Sequence, residues 1–295
     1  MQKRGRTIFI ISFLAPAVLI YVGLVVWPLL QAIQFSTYRW RGLSMRKTSV
    51  GGENFQKLFH DNIFWQSLAH NLWIFVVCGA VIIAAAVLIA HLMRGNSRSQ
   101  RLLRSVYLFP QIVSMVIVAV MWQFILNPQG LLNSGLRAVG LESWTHTWLG
   151  ESDWALRGVG AAFIWFALGF YIMLFAAGLE GIPAEINEAA ELDGSRGWHR
   201  FRQVTWPLLW SVKRVAITYL LINVMNIFAL VFLMTRGGPD EKSEVMLTYL
   251  YQKGFTSSQF GYATAIAVLN FVVVMAISLV ILFIYRRNPT ERRAA

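Results

Sequence analysis

Acidic residues are scarce in this chain: 14 Asp and Glu stand against 26 Lys and Arg in 295 residues. Charged residues of both signs make up only 14%, where a soluble domain carries about 25%. With 57% hydrophobic residues, the chain cannot cover its surface with polar groups. That argues against an ordinary soluble domain and for a membrane protein. The single cysteine, Cys78, excludes an intrachain disulfide and a multi-cysteine metal site. No G-x-x-x-x-G-K-[ST] phosphate loop occurs, so the chain has no visible means of hydrolysing ATP. H-E-x-x-H and G-x-S-x-G are missing too. The five histidines show no metal-ligand spacing, and no metal or cofactor is expected in this chain. A net charge of +12 would suggest nucleic acid for a soluble protein. Here its distribution matters more than its sum, and no nucleic-acid partner is expected.

What the chain has is long apolar runs. A membrane span needs about 20 mostly apolar residues. Six runs qualify: Ile8–Phe35, Leu68–Leu92, Ser105–Leu126, Gly158–Leu179, Val215–Thr235 and Gly261–Tyr285. The expectation is an all-α membrane domain of six helices over residues 1–295. With both termini in the cytoplasm, sixteen Lys and Arg fall inside and nine outside, Arg157 lying at a span edge. Positive charge concentrates on the cytoplasmic side, so that orientation is favoured. Ala15-Pro16-Ala17 has the form of a signal cleavage site. The apolar stretch runs on to Leu30, which a cleaved signal does not need, so an uncleaved first span is expected. Trp40, Trp65, Trp144, Trp148 and Trp154 fall in or near the outer segments and read as an interfacial belt.

None of the six runs contains Asp, Glu, Lys or Arg. Intramembrane charges mark proton relays and voltage sensors, so their lack argues against both. Energy for any transport should enter from outside the membrane.

The segment from Glu180 to Trp210 is a polar island between apolar runs. Pro183 suits a helix start. Glu185, Glu188 and Glu191 recur every three residues and share one side of a helix. Asp193-Gly194 reads as its stop, because glycine accepts the left-handed cap conformation. Ser195 can cap a second helix, in which Trp198, Phe201 and Val204 share a face.

This segment resembles the EAA loop of the permease subunits of bacterial ABC importers. The match lies at Glu188, Ala189, Ala190, Gly194 and Pro207, with Val204 for the usual Ile and Trp206 for the usual Leu. Further family-like stretches are Leu108-Phe109-Pro110 with Val113-Ser114, Trp122, Asn127-Pro128, Gly237-Gly238-Pro239 and Phe260-Gly261-Tyr262-Ala263. Over nearly its whole length the chain is similar to the maltose-transporter-like sugar permeases. The resemblance implies a type I importer permease fold in the bacterial inner membrane. It implies a coupling helix at about 180–210 docked on a cytoplasmic ATPase dimer, which would hold the ATP and Mg. It also implies a second permease, expected to be a different chain, and a soluble substrate-binding protein. Glu188, Ala189, Ala190, Asp193, Gly194 and Pro207 would then serve coupling. Trp198 and Phe201 are candidate apolar anchors from their own chemistry.

Amides and aromatics inside the spans are candidates for the substrate path. Asn223 and Asn226 share a face of the fifth run with Tyr219, and unpaired amides facing lipid are costly. Trp165, Phe166, Phe170 and Tyr171 on the fourth run complete the set. Amides and aromatic faces suit sugar hydroxyls and rings. The alternatives are a permease for another solute, such as a phosphate ester or a compatible solute, and an intramembrane enzyme, for which no catalytic pair is visible.

Overall fold

The computed structural model describes residues 2–93, 107 and 109–286. Leu108, the start of the third run at Ser105, and the basic residues at 94–104 and 287–293 lie outside the described residues. The described elements in chain order are α1 (Phe9–Ser36), α2 (Glu53–Phe59), α3 (Asn62–Leu92), α4 (Met115–Ile125), α5 (Leu131–Ala138), α6 (Ser152–Glu180) and α7 (Ala184–Leu192). They continue as α8 (Gly197–Leu208), α9 (Trp210–Met225), α10 (Ala229–Met234), α11 (Met246–Tyr251) and α12 (Phe260–Ile284).

Among the described residues, four helices are long and apolar enough to cross a membrane: α1, α3, α6 and α12. They correspond to the first, second, fourth and sixth runs. The third and fifth runs are not the continuous helices expected. In the third, Ser114 leaves helical geometry (φ −59°, ψ 138°) and its hydroxyl accepts from the Val116 N–H, so α4 starts there as a new helix. In the fifth, α9 stops at Met225. Asn226 turns its amide back onto the Ile222 carbonyl at 2.8 Å, and Phe228 is non-helical at φ −135° before α10 resumes. A side chain that bonds its own backbone competes with the helix ladder. α8 and α9 form a further bent pair, 70° apart at Leu209.

The described residues group into two units. One runs up to Phe64 and includes Leu250–Phe271; the other runs from Trp65 to Tyr249 and resumes at Val272. The core of the second unit is the packing of α3 on α6, with Ile74, Ile82, Ala86, Val159, Phe163, Ile172 and Phe175 buried. Small residues let the backbones approach, as membrane helices require. A Cβ at Gly160 would sit 2.9 Å from Cys78 Sγ, and one at Gly79 would sit 2.5 Å from the Leu220 side chain.

The broken helices free backbone carbonyls, and in lipid each needs an internal partner. Amides from neighbouring helices supply them. Asn71 Nδ2 donates to the Val224 carbonyl at 2.7 Å, while its Oδ1 accepts from the Met246 N–H at 2.9 Å. Gln123 Nε2 donates to the Leu233 carbonyl at 2.6 Å. These amides hold α3 and α4 against the ends of α9, α10 and α11.

In the first unit, a short antiparallel pair joins Tyr38–Arg39 to Thr48–Ser49. Asn54 is buried and donates to the carbonyls of Ser36 and Tyr38 at 2.7 and 3.0 Å. The tryptophans assigned to an interfacial belt are partly packed. Trp40 lies 4.8 Å from Phe35, and Trp148 meets Trp154 edge-on at 4.9 Å.

Candidate functional site

Two places in the second unit carry the candidate residues. The first is the polar island, which folds as two short helices at a tight bend. Pro183 is the residue preceding α7 rather than its first helical residue. Asp193 ends the helix and Gly194 follows at φ +76°. The Gly194 N–H donates to Glu191 at 3.0 Å and the Ser195 N–H to Ala190 at 2.9 Å. That pair of bonds is a Schellman stop, which needs a left-handed residue where Gly194 stands. Ser195 does not cap α8. Arg196 precedes the helix, which starts at Gly197, and the Ser195 hydroxyl is buried without a partner among the described residues. An ion pair of Arg200 with Glu191 ties α8 to α7.

Within α7, Ala190 is buried while Glu188, Ala189 and Leu192 are exposed. Leu192 is 90% exposed, an apolar side chain at a helix end with nothing described covering it. A cleft of about 580 Å³ runs along α7 and α8, lined by Ile186, Ala189, Ala190, Asp193, Gly194, His199 and Val204 among others.

The expected shared face of Trp198, Phe201 and Val204 does not form. Phe201–Thr205 is a wide π turn, which takes one extra residue per turn and so rotates the positions after it. Val204 therefore lines the α7 cleft. Trp198 and Phe201 stack at 5.2 Å and line a separate apolar cavity of about 640 Å³ against Ile83, Val87 and Leu88 of α3. Phe201 is half-buried there, edge-on to His91 at 5.8 Å, whereas Trp198 stays 73% exposed. Pro207 lies in the last turn of α8 beside Trp206. The Trp206 ring and carbonyl both hold Lys213, whose Nζ lies 4.0 Å from the ring centroid and 2.8 Å from the oxygen. A tryptophan is thereby accommodated where the resembling family has leucine.

The second place is a cavity of about 510 Å³ among α4, α6, α9 and α10. Phe166, Phe170, Tyr171, Tyr219, Asn223 and Asn226 all line it. Trp165 does not; it packs edge-on to Trp122 at 6.3 Å. Phe170 sits 4.8 Å from Tyr219 and 5.2 Å from Tyr171, giving a contiguous aromatic wall. Asn223 donates to the Tyr219 carbonyl at 2.8 Å, as Asn226 does to Ile222. Each amide is thus fixed by its own helix, and its remaining hydrogen-bonding capacity belongs to the cavity.

Eight further lining residues are not among the sequence candidates, among them an amide and an aromatic of the same chemistry as the candidates. Gln111 borders the cavity and donates to the Phe166 carbonyl at 2.5 Å. Phe228 lies at the break between α9 and α10. Gln111 is open to the argument used for Asn223, an amide inside an apolar run. Phe228 carries no such signal. No lining residue of this cavity among those described is charged.

Outside the spans, Glu244 is buried to 3% exposure, and burial pushes its carboxyl up to about 7. Its backbone carbonyl meets His70 Nδ1 at 2.7 Å. Gly237, at φ +84°, leaves room for that carboxylate; a Cβ there would lie 2.0 Å from Oε2.

The chain is similar to known proteins over most of its length. Residues 82–289 match the family described as binding-protein-dependent transport system inner membrane component. The probable ABC transporter permease protein YurN of Bacillus subtilis is 35% identical, over 95% of this chain and 96% of that protein. The diacetylchitobiose uptake system permease protein NgcF of Streptomyces coelicolor is 33% identical, over 95% of this chain and 83% of that protein. Among solved structures, a chain of a bacterial ABC transporter involved in the import of the acidic polysaccharide alginate superposes with a TM-score of 0.82. It is 21% identical and 98% of each chain is covered, so it establishes the fold. The molecule is a multi-pass ABC transporter permease, a transport subunit and not an enzyme. It belongs to the family of binding-protein-dependent transport system inner membrane components.

Proposed function

We propose that this chain forms part of the translocation path of an ATP-driven importer for a carbohydrate delivered by a soluble binding protein. The observation that carries the reading is the uncharged cavity walled by Phe166, Phe170, Tyr171 and Tyr219 and edged by Asn223, Asn226 and Gln111. Aromatic faces take the apolar faces of a pyranose ring, and amides exchange hydrogen bonds with its hydroxyls. A phosphate ester would call for Arg or Lys, which that wall does not offer. Relatives named for diacetylchitobiose, lactose and starch degradation products support the same substrate class.

ATP and Mg belong to a separate ATPase dimer on the cytoplasmic side, with α7 seated in it. Glu188, Ala189, Ala190, Asp193 and Gly194 form the docking end. Leu192 and the exposed Trp198 supply apolar contact, while Phe201 acts inward as a wedge against α3. The linkage to the cavity is short. Glu191–Arg200 ties α7 to α8, α8 turns into α9 at Leu209, and Asn223 lies about 20 Å along α9 from that bend. A tilt of α7 by the ATPase therefore moves the amides. Both termini are cytoplasmic, and a second, different permease completes the pair. Residues Arg39–Trp65, Pro128–Asp153 and Gly237–Gln259 form the outer face on which the binding protein docks.

The test is a ligand screen on the partner binding protein, followed by uptake in proteoliposomes holding the full complex. Uptake of the same oligosaccharide that the binding protein retains is the expected result. Selective binding and uptake of a compatible solute or a phosphate ester would overturn the carbohydrate reading.

A further inference from the structure

Between α7 and the cavity the chain passes one sharp joint, the 70° bend between α8 and α9. Pro207 has no N–H to bond back to the preceding turn. Leu209 then leaves helical geometry (φ −77°, ψ 11°), and α9 begins at Trp210. A joint with so little backbone bonding swings unless side chains close it. Its α9 side is anchored. Leu209 is buried to 1% exposure. A Cβ at Gly178 of α6 would lie 2.6 Å from Val212 and 3.1 Å from Leu209, so the start of α9 is in tight contact with α6. On the α8 side, Trp206 lies 6.1 Å from the Phe201 ring that wedges against α3.

One charged side chain crosses the bend. Lys213 stands two residues before the fifth apolar run and is half-buried. Among the described residues its partners are a ring and a carbonyl, not a carboxylate: both belong to Trp206, at 4.0 Å and 2.8 Å. The end of α8 leaves that carbonyl without an intrahelical donor, and a cation is favoured near a helix C-terminus. Trp206 and Lys213 are seven residues apart. Along a straight helix that is about 10 Å of rise, or two turns. A helical side chain leans back over only the turn before it. The contact therefore exists only while the chain is bent at Leu209. The neighbouring Arg214 lies over Trp210 at 5.2 Å, a contact inside α9 that does not touch the bend.

We propose that Lys213 is a positioning residue for coupling: its ammonium clasps the Trp206 ring and carbonyl across the bend, so that α8 and α9 move as one lever and a tilt of α7 reaches Asn223 and Asn226. An indole offers a face to the cation that the leucine of the resembling family does not. Trp206 and Lys213 thus act as a pair. This rests on the importer reading, with α7 seated on a separate ATPase.

The test uses the full complex in proteoliposomes with its binding protein and the tritiated oligosaccharide retained in the screen above. ATP hydrolysis and uptake are measured on the same vesicles, and the ratio of ATP hydrolysed to oligosaccharide imported is compared. In Lys213→Met the ratio should rise about tenfold, from loss of the ring contact and of a charged hydrogen bond. Stimulated hydrolysis and complex yield should stay at the wild-type level. Lys213→Arg keeps a cation and a donor and should keep the ratio. Arg214→Met removes the same charge one residue away and should keep it too. Trp206→Leu, which restores the family's residue, should raise the ratio about threefold, and it carries the test if Lys213→Met assembles poorly. An unchanged ratio in Lys213→Met overturns the proposal and leaves the importer reading standing. So does a fall of hydrolysis and uptake in equal proportion, which would assign Lys213 to folding or to the ATPase seat. A rise in Arg214→Met equal to that in Lys213→Met overturns it as well, as an effect of net charge. A wild-type complex in which uptake does not depend on hydrolysis overturns the importer reading, and this proposal with it.

Discussion

Gly194, in the bend of the polar island, is a position where a substitution costs backbone strain and little else. Its φ of +76° is set by the stop that ends α7, through the bonds of Gly194 to Glu191 and of Ser195 to Ala190. A Cβ added there meets nothing within 4 Å, so alanine is not excluded by crowding within the chain. Its cost is the left-handed backbone alone, about 1–2 kcal/mol for an ordinary L-residue. Asparagine visits that region more readily, so it should cost less. A penalty of that size shifts the equilibrium between the bent and unbent segment by roughly 5–30-fold. Gly194→Ala should therefore lower binding-protein-stimulated ATP hydrolysis and uptake in proteoliposomes by up to that factor, with insertion and complex yield unchanged. Gly194→Asn should recover most of the loss. Wild-type uptake by Gly194→Ala would refute the reasoning. Equal loss in the Ala and Asn variants would place the constraint in a partner's surface instead of in the backbone.

The cavity and the buried Glu244 give two other expected outcomes. Asn223→Leu with Asn226→Leu keeps the volume and removes the amides. Uptake should fall about tenfold, from two hydrogen bonds of about 0.5–1.5 kcal/mol each, while ATPase association stays intact. Loss of assembly instead would assign the amides to packing. Glu244 offers a pH test. Its carboxyl is raised by burial to about 7 from 4.5, beside Glu241 and with Thr248 as a hydrogen-bond partner. The folded state therefore holds the proton more tightly, and this contribution is full below about pH 4.5 and lost as pH rises through about 7. Thermal melting of the complex should show stability declining over that window, by roughly 3 kcal/mol at most. Glu244→Gln should flatten that decline, and an unaltered slope in this variant would remove Glu244 as its source.

Hydropathy makes four of the six runs legible because an uninterrupted apolar helix is what an averaged window detects. The same averaging hides the breaks at Ser114 and at Asn226–Phe228. One or two residues leaving helical geometry, such as Ser114 and Phe228, end a helix without changing the mean apolarity. The amides show the same divide. Asn223 and Asn226 read as lining a path, and they line the cavity. Asn71 and Gln123 look alike in sequence, yet they serve carbonyls freed by breaks that the sequence does not reveal. In the polar island, the Gly194 stop is readable because a left-handed cap has a residue signature. The π turn at Phe201–Thr205 has none, so helical spacing puts Val204 on the face of Trp198 and Phe201, whereas it lines the other cleft.

If α7 receives work from an ATPase on the cytoplasmic side, it must lie against that subunit. Cys78 is the chain's single cysteine and is buried, so a cysteine placed on α7 can be addressed alone. Ala189→Cys in the assembled complex, labelled with a short maleimide–benzophenone reagent and irradiated so that the benzophenone inserts into a neighbouring C–H bond, should join this chain to the ATPase subunit. Val139→Cys, at the end of α5, should not. An Ala189→Cys chain that is labelled by maleimide but never joined to the ATPase would contradict the account.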